Sequence, residues 1–202
     1  MYLPESFRLN EQDIPRLIEQ YPFATLVSVD TTGPIINFAP LLFDAKQHQL
    51  LGHLANSNQQ LEVMLHHPAI SVIFHGPDGY ISPNWYQDKT QVPTWNFVTI
   101  EIKGTVTLIQ EVEEKRQLLE TLSNAHEQRI HSDWTISKVP EAKLNIMLNA
   151  ITGFSIQISS WQGKAKLSQN KSTVERLNLI KGLESLTDLE SQRLLQVMKK
   201  TV

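Results

Sequence analysis

The 202-residue chain contains no cysteine. Disulfides, thiolate nucleophiles, iron–sulfur clusters and cysteine-ligated zinc are all excluded by that one absence. A charge surplus is missing too: 18 Lys and Arg against 21 Asp and Glu leave a formal net charge of −3. No global basic field draws the chain to nucleic acid or to a membrane surface. No apolar run approaches the ~18 uninterrupted residues that a membrane-spanning helix needs. The opening MYLPESFRLNEQD brings charges early and has no apolar stretch of signal-peptide type. The expectation is a soluble, cytoplasmic protein without a membrane partner. The phosphate-loop, dinucleotide-fingerprint, zinc-protease and nucleophile-elbow patterns are absent as well. His66 and His67 are adjacent, so they point to different sides of a helix and do not make a chelating pair. No catalytic or metal-binding residue is assigned.

What is present is an ordinary globular composition, 41% hydrophobic and 19% charged. NEQDIPRLIEQYP reads as a helix capped by Asn10 and stopped by Pro22. FATLVSVD and PIINFAPLLFD read as a hairpin about Asp30–Gly33, with Pro40 marking an edge strand or a bulge. QLLGHLA is a short strand, followed by a helix with Asn56 or Ser57 as its cap. AISVIFHG is a strand ended by a PDG turn. WNFVTIEIKGTVTLIQ is a long alternating strand, with Gly104 placed where a bulge or bend belongs. EVEEKRQLLETLSNAHEQR and PEAKLNIMLNAI are helices, GFSIQISSWQG is a strand, and the chain from Thr173 is helical with a break at Gly182. Six or seven strands with short turns favour an antiparallel barrel over a parallel doubly wound sheet.

Three polar clusters stand out. GHLANSN, Gly52 to Asn58, runs from a strand to a helix start, where free N–H groups either receive an anion or are simply capped. PNWYQDKTQVPTWNF, Pro83 to Phe97, packs two tryptophans, a tyrosine and two prolines beside Asn84 and Asn96. It suits either a core-packed loop or a wall for a planar ligand with polar edges. GKAKLSQNKS, Gly163 to Ser172, is either a solvated basic turn or an anion-binding one.

At these clusters the chain resembles the PaiB-type FMN-binding negative transcriptional regulators, relatives of the split-barrel flavin proteins. The matching pieces are MYLPESF, PFATLVS, GHLANSN, VIFHGPDGYISPNWY, VPTWNF and GKAKLSQNK, in the family's order, from Met1 to about Leu183. The resemblance implies a mainly β, α+β fold: an antiparallel split β-barrel of FMN-binding type with C-terminal helices. It implies a barrel domain over 1–170 and a helical extension over 171–202, packed on the barrel or on a partner. It implies a homodimer that binds FMN or a related planar ligand and represses transcription. Carried over by position, His53, Asn56, Ser57 and Asn58 line the cofactor site. Trp85, Tyr86, Trp95 and Asn96 form its wall, and Lys166, Ser168, Gln169 and Asn170 close it. The family tends to show Arg where this chain has Asn56, and an aromatic residue where it has Ala165. The loop Gln87–Gln91 is also shorter and less basic, which leaves more of any phosphate's charge to the Lys164 and Lys166 turn. The C-terminal stretch mixes both charge signs and shows no DNA-reading helix, so direct DNA binding is not expected. Two other readings stay open: a flavin-dependent oxidoreductase, whose chemistry would be the cofactor's, and a flavin-free binding module.

Overall fold

Alternating apolar residues set the strands. A computed structural model describes residues 1–200. Among them the strands are β1 (Phe23–Asp30), β2 (Gly33–Pro40), β3 (Leu42–Asp44), β4 (Gln49–Ala55), β5 (Ala69–Ile81), β6 (Thr94–Ile109) and β7 (Ile151–Lys166). The helices are α1 (Ile14–Gln20), α2 (Gln60–His66), α3 (Val112–Arg129), α4 (Glu141–Asn149), α5 (Thr173–Glu184) and α6 (Leu189–Lys199). The strands form one antiparallel sheet in the order β2-β1-β5-β6-β7-β4-β3. β2 and β3 are its two ends and the sheet is not closed, so Pro40 does sit on an edge strand.

The chain divides into two compact units. Unit 1 comprises Met1–Ile14, His75–Ile100 and the chain from Gln162 onward; unit 2 comprises Pro15–Phe74 and Glu101–Trp161. In unit 2, β1 pairs with β2 from Phe23↔Pro40 to Asp30↔Gly33 and with β5 from Ala24↔Phe74 to Ser28↔Ile70. β4 pairs with β7 from Gln49↔Gln157 to Ala55↔Ile151. Leu26, Leu50, Val72, Ile102, Phe154 and Ile156 are fully or almost fully buried there. Beside them, Ile136, Leu144 and Leu148 make a smaller core with Leu119, Trp134 and Val139. Lys115 is buried on α3, and its Nζ donates to the carbonyls of Leu148 (2.6 Å) and Ile151 (3.2 Å). A cation thus closes the C-terminal end of α4, where the helix dipole favours one. In unit 1, Ile81, Val98, Leu167, Leu179, Leu183, Leu194 and Met198 are buried.

Three local expectations are corrected, each for a tertiary reason, and one glycine gains a packing role. Pro77–Gly79 is not a turn, because β5 runs through it to Ile81. A Cβ at Gly79 would stand 2.8 Å from Leu194 Cδ2, so that glycine serves close packing against α6. Gly104 stays within β6 and admits the backbone of β7, since a Cβ there would lie 2.5 Å from the Gln157 carbonyl oxygen. Gly182 is inside α5, and the helical break falls between Glu184 and Leu189. Neither Asn56 nor Ser57 caps α2, which starts at Gln60. Asn56 instead donates through Nδ2 to the Asn149 carbonyl (2.7 Å) and accepts through Oδ1 from Thr152 (2.8 Å). Asn10 does cap its segment, accepting from the Gln12 N–H at 3.1 Å.

Candidate functional site

The twelve residues expected at a cofactor fall into two groups. His53, Asn56, Ser57 and Asn58 belong to unit 2; Trp85, Tyr86, Trp95, Asn96, Lys166, Ser168, Gln169 and Asn170 belong to unit 1.

In unit 2, β4 carries His53 to the wall of an open hollow of ≈ 500 Å³, shared with Pro40, Leu122, His126, Ser132 and Trp134. Burial lowers His53 below the ordinary imidazole range, and burial followed by Arg129 lowers His126. Both rings are therefore neutral near pH 7, each offering one donor and one acceptor. Asn56 and Ser57 are exposed. Asn58 exchanges amide hydrogen bonds with Asn37 at 3.2 Å and accepts from the Gln60 N–H at 2.9 Å. The Leu61 N–H donates to the Asn58 carbonyl, so these first N–H groups of the short α2 already have acceptors.

In unit 1, Ser82 and Pro83 start a 3-10 turn over Pro83–Trp85, the Ser82 hydroxyl accepting from the Asn84 N–H. The turn brings Trp85 onto α5 at Gly182, where an added Cβ would lie 2.2 Å from the indole Cδ2. The loop after it is tied down from α5, as Glu175 accepts from the Gln87 N–H (2.8 Å) and the Asp88 N–H (3.3 Å). Tyr86 is buried; burial pushes its phenol above the usual range, a hydrogen bond with Ser168 opposes the shift, and Glu175 adds to it. Asn96 is fully buried. Its Nδ2 donates to Ser168 Oγ at 3.0 Å and to Met198 Sδ at 3.5 Å, and its Oδ1 accepts from Ser168 at 3.2 Å. Ser168 takes a left-handed backbone conformation, φ 60°. Gln169 folds back to accept from the Leu167 N–H at 2.7 Å and to donate to the Ala165 carbonyl. Asn170 is exposed.

Two parts of unit 1 face solvent and are equipped for a ligand. Trp95 is 55% exposed and meets Tyr80, 46% exposed, edge to face at 6.2 Å. Trp95 also walls a hollow of ≈ 370 Å³ with His75, Gly76, Asp78, Phe97 and Thr99. Beside this start of β6, Lys166 donates to Thr94 Oγ1 and to the Trp95 carbonyl (2.7 Å). Lys164 donates to the Tyr2 carbonyl at 3.1 Å and lies over the rings of Tyr2 and Phe97. Burial, then the like charge of Lys164, lowers Lys166 below the ordinary lysine range. An anion placed here relieves that repulsion, and an uncovered indole offers a flat apolar face to a ring. These residues fit a phosphate-bearing planar cofactor. Trp95 and Lys166 are among the residues the sequence singled out. Tyr80, His75 and Glu175 were not, since nothing local distinguishes them from strand and helix-surface residues. His126 and Trp134 were missed for the same reason.

Residues 1–160 match the family described as "Putative FMN-binding domain". The chain is 27% identical over 202 residues to the protease synthase and sporulation protein PAI 2 of Bacillus subtilis, covering 98% of this chain and 97% of that one. Its fold matches the FAD and heme binding protein of Mycobacterium smegmatis with a TM-score of 0.60, at 16% identity over 78% of this chain and 71% of that one. It matches the flavocytochrome Anf3 of Azotobacter vinelandii with a TM-score of 0.58, at 13% identity over 77% of this chain and 67% of that one. The fold is α+β, of the split-barrel flavin-binding type. The chain belongs to the FMN-binding domain family, and its cofactor is of the FMN type.

Proposed function

We propose that the protein is an FMN-binding negative regulator of transcription that works as a homodimer and does not read DNA through a helix of its own. The observation that carries this reading is the similarity to PAI 2 along nearly the full length of both chains. Three features of unit 1 support FMN as the ligand: the uncovered Trp95, the neighbouring Lys164 and Lys166, and the rigid turn that holds them. Trp95 lies against the flavin ring, and Lys166 with Lys164 meets the phosphate. The buried Tyr86–Ser168–Asn96 group sets the shape of the turn between β7 and α5. Bound flavin supplies redox chemistry or ligand-dependent signalling; the chain's own residues bind and orient it.

Purified protein titrated with FMN tests the reading. Saturable quenching of flavin fluorescence, no NAD(P)H turnover and no shift of duplex DNA by the protein alone are the expected results. Absence of flavin binding at tens of micromolar would overturn the ligand, and steady NAD(P)H oxidation would replace the regulatory role with an oxidoreductase.

A further inference from the structure

Besides the hollow of His53, unit 2 carries one of ≈ 590 Å³. Its lining comes from α1 and the turn after it, the β2–β3 link and the C-terminal part of α3, all within the unit. Pro22, Leu41, Leu42 and Phe43 supply the apolar part. The Leu41 N–H donates to the Pro22 carbonyl at 2.9 Å, which holds this part in place. Arg16, Glu19, His126 and Arg129 supply the polar part. Arg129 Nη2 donates to the Gln20 carbonyl at 3.3 Å and so ties the end of α3 to the end of α1. That uses one of the five N–H donors of a guanidinium. Among the described residues neither Arg129 nor Glu19 forms an ion pair, and the His126 ring makes no hydrogen bond.

We propose that this hollow binds a small monocarboxylate with an apolar body, of the class of an aliphatic or arylalkanoic acid. Its volume lies in the ~300–1,000 Å³ range of small-molecule pockets, and an apolar surface with a few placed polar groups is their usual make-up. The guanidinium of Arg129 presents a planar fork, to which a carboxylate fits with two parallel bonds. Burial, then Arg129, lowers His126, so its ring is neutral near pH 7 and adds one donor. The charges left on the lining are those of Arg16, Arg129 and Glu19, two cations against one carboxylate. That surplus of one answers a single negative charge. A phosphate monoester carries nearly two at pH 7, and Glu19 repels the second, so the hollow favours a carboxylate over a phosphate. The body of the acid lies on Leu42 and Phe43, where removal of apolar surface from water drives binding. His126 also lines the hollow of His53, so an acid seated here touches a wall that the two hollows share. The inference rests on this lining and is independent of the FMN reading.

The test is a calorimetric titration of the cofactor-free full chain with 3-phenylpropanoate, with 3-phenylpropanamide as the uncharged control. No flavin enters the measurement, so its outcome is separate from that of the FMN titration. The acid should bind saturably with a dissociation constant at or below ~1 mM, and the amide at least ~10-fold more weakly. Arg129→Gln keeps a planar polar group and loses the charge. It should weaken the acid at least ~10-fold, while the ligand-free melting temperature moves by no more than about 2 °C, since Arg129 is exposed. Glu19→Gln should tighten the acid and let inorganic phosphate compete with it better than in the wild type. No saturation by the acid up to ~10 mM, equal binding of acid and amide, or an Arg129→Gln protein that binds the acid as the wild type does would each overturn the proposal. So would a Glu19→Gln protein that binds the acid more weakly.

Discussion

Trp85 and Trp95 stand ten residues apart in one aromatic stretch, and they have opposite surroundings. Trp85 lies in the 3-10 turn and presses onto Gly182 of α5. Trp95 lies in β6 with more than half of its surface open, touched at the edge by Tyr80. The same residue type, in the same proline-flanked setting, packs onto a helix in one case and stands more than half exposed in the other. The partner decides, and the partner of Trp85 is a glycine far along the chain. A glycine inside a helix costs ~1 kcal/mol relative to alanine. Here that cost is offset by the close approach of an indole ring.

The largest effect expected from breaking this comparison is on the packed side, where Trp85 is partly buried against α5. Trp85→Ala removes the ring from Gly182 and should cost roughly 2–3 kcal/mol, below the ~3–5 kcal/mol for a fully buried aromatic because Trp85 is only partly buried. At ~2–4 °C per kcal/mol for a chain of this size, thermal unfolding of the cofactor-free protein should drop by about 4–12 °C. The anion side comes next. Lys166→Ala should weaken FMN at least tenfold, ~1.4 kcal/mol, while riboflavin, which lacks the phosphate, changes little in the same titration. Equal losses for the two ligands would move Lys166 away from the phosphate.

The smallest expected effect sharpens the comparison from unit 2. His53 and His126 are held below the ordinary imidazole range, chiefly by burial. As pH falls through ~6.5 the unfolded chain takes up protons that the folded imidazoles refuse, so stability should decline below that point and level off once the folded groups titrate. His53→Gln should flatten this decline in urea unfolding between pH 7 and 5. An unchanged slope would assign the pH dependence to other groups.

Much of the fold was legible because period-two alternation in FATLVSVD and WNFVTIEIKGTVTLI is strong and local. The capping role of Asn10 was legible because it acts on the residues just after it, Glu11–Asp13, and the edge position of Pro40 because proline lacks the N–H a central strand needs. What escaped depends on distant partners. Gly79 and Gly182 have the chemistry of turns and breaks, but Leu194 and Trp85 press on them and keep the elements continuous. Asn56 and Ser57 looked like caps, yet Asn149 and Thr152 compete for the Asn56 side chain. At the candidate site the residue types were readable and their exposure was not. Asn96 and Ser168 satisfy each other in the interior, while Trp95 and the lysines stand at the surface.

The central claim is that Trp95, and not Trp85, is the ligand-facing tryptophan. Paired measurement of FMN affinity and cofactor-free melting temperature on Trp95→Ala tests it most directly. Exposed substitutions usually fall within ±0.5 kcal/mol, so the melting temperature should move by no more than about 2 °C. FMN binding should weaken about tenfold or more. A melting temperature lowered as far as that expected for Trp85→Ala, with FMN affinity unchanged, would contradict the account.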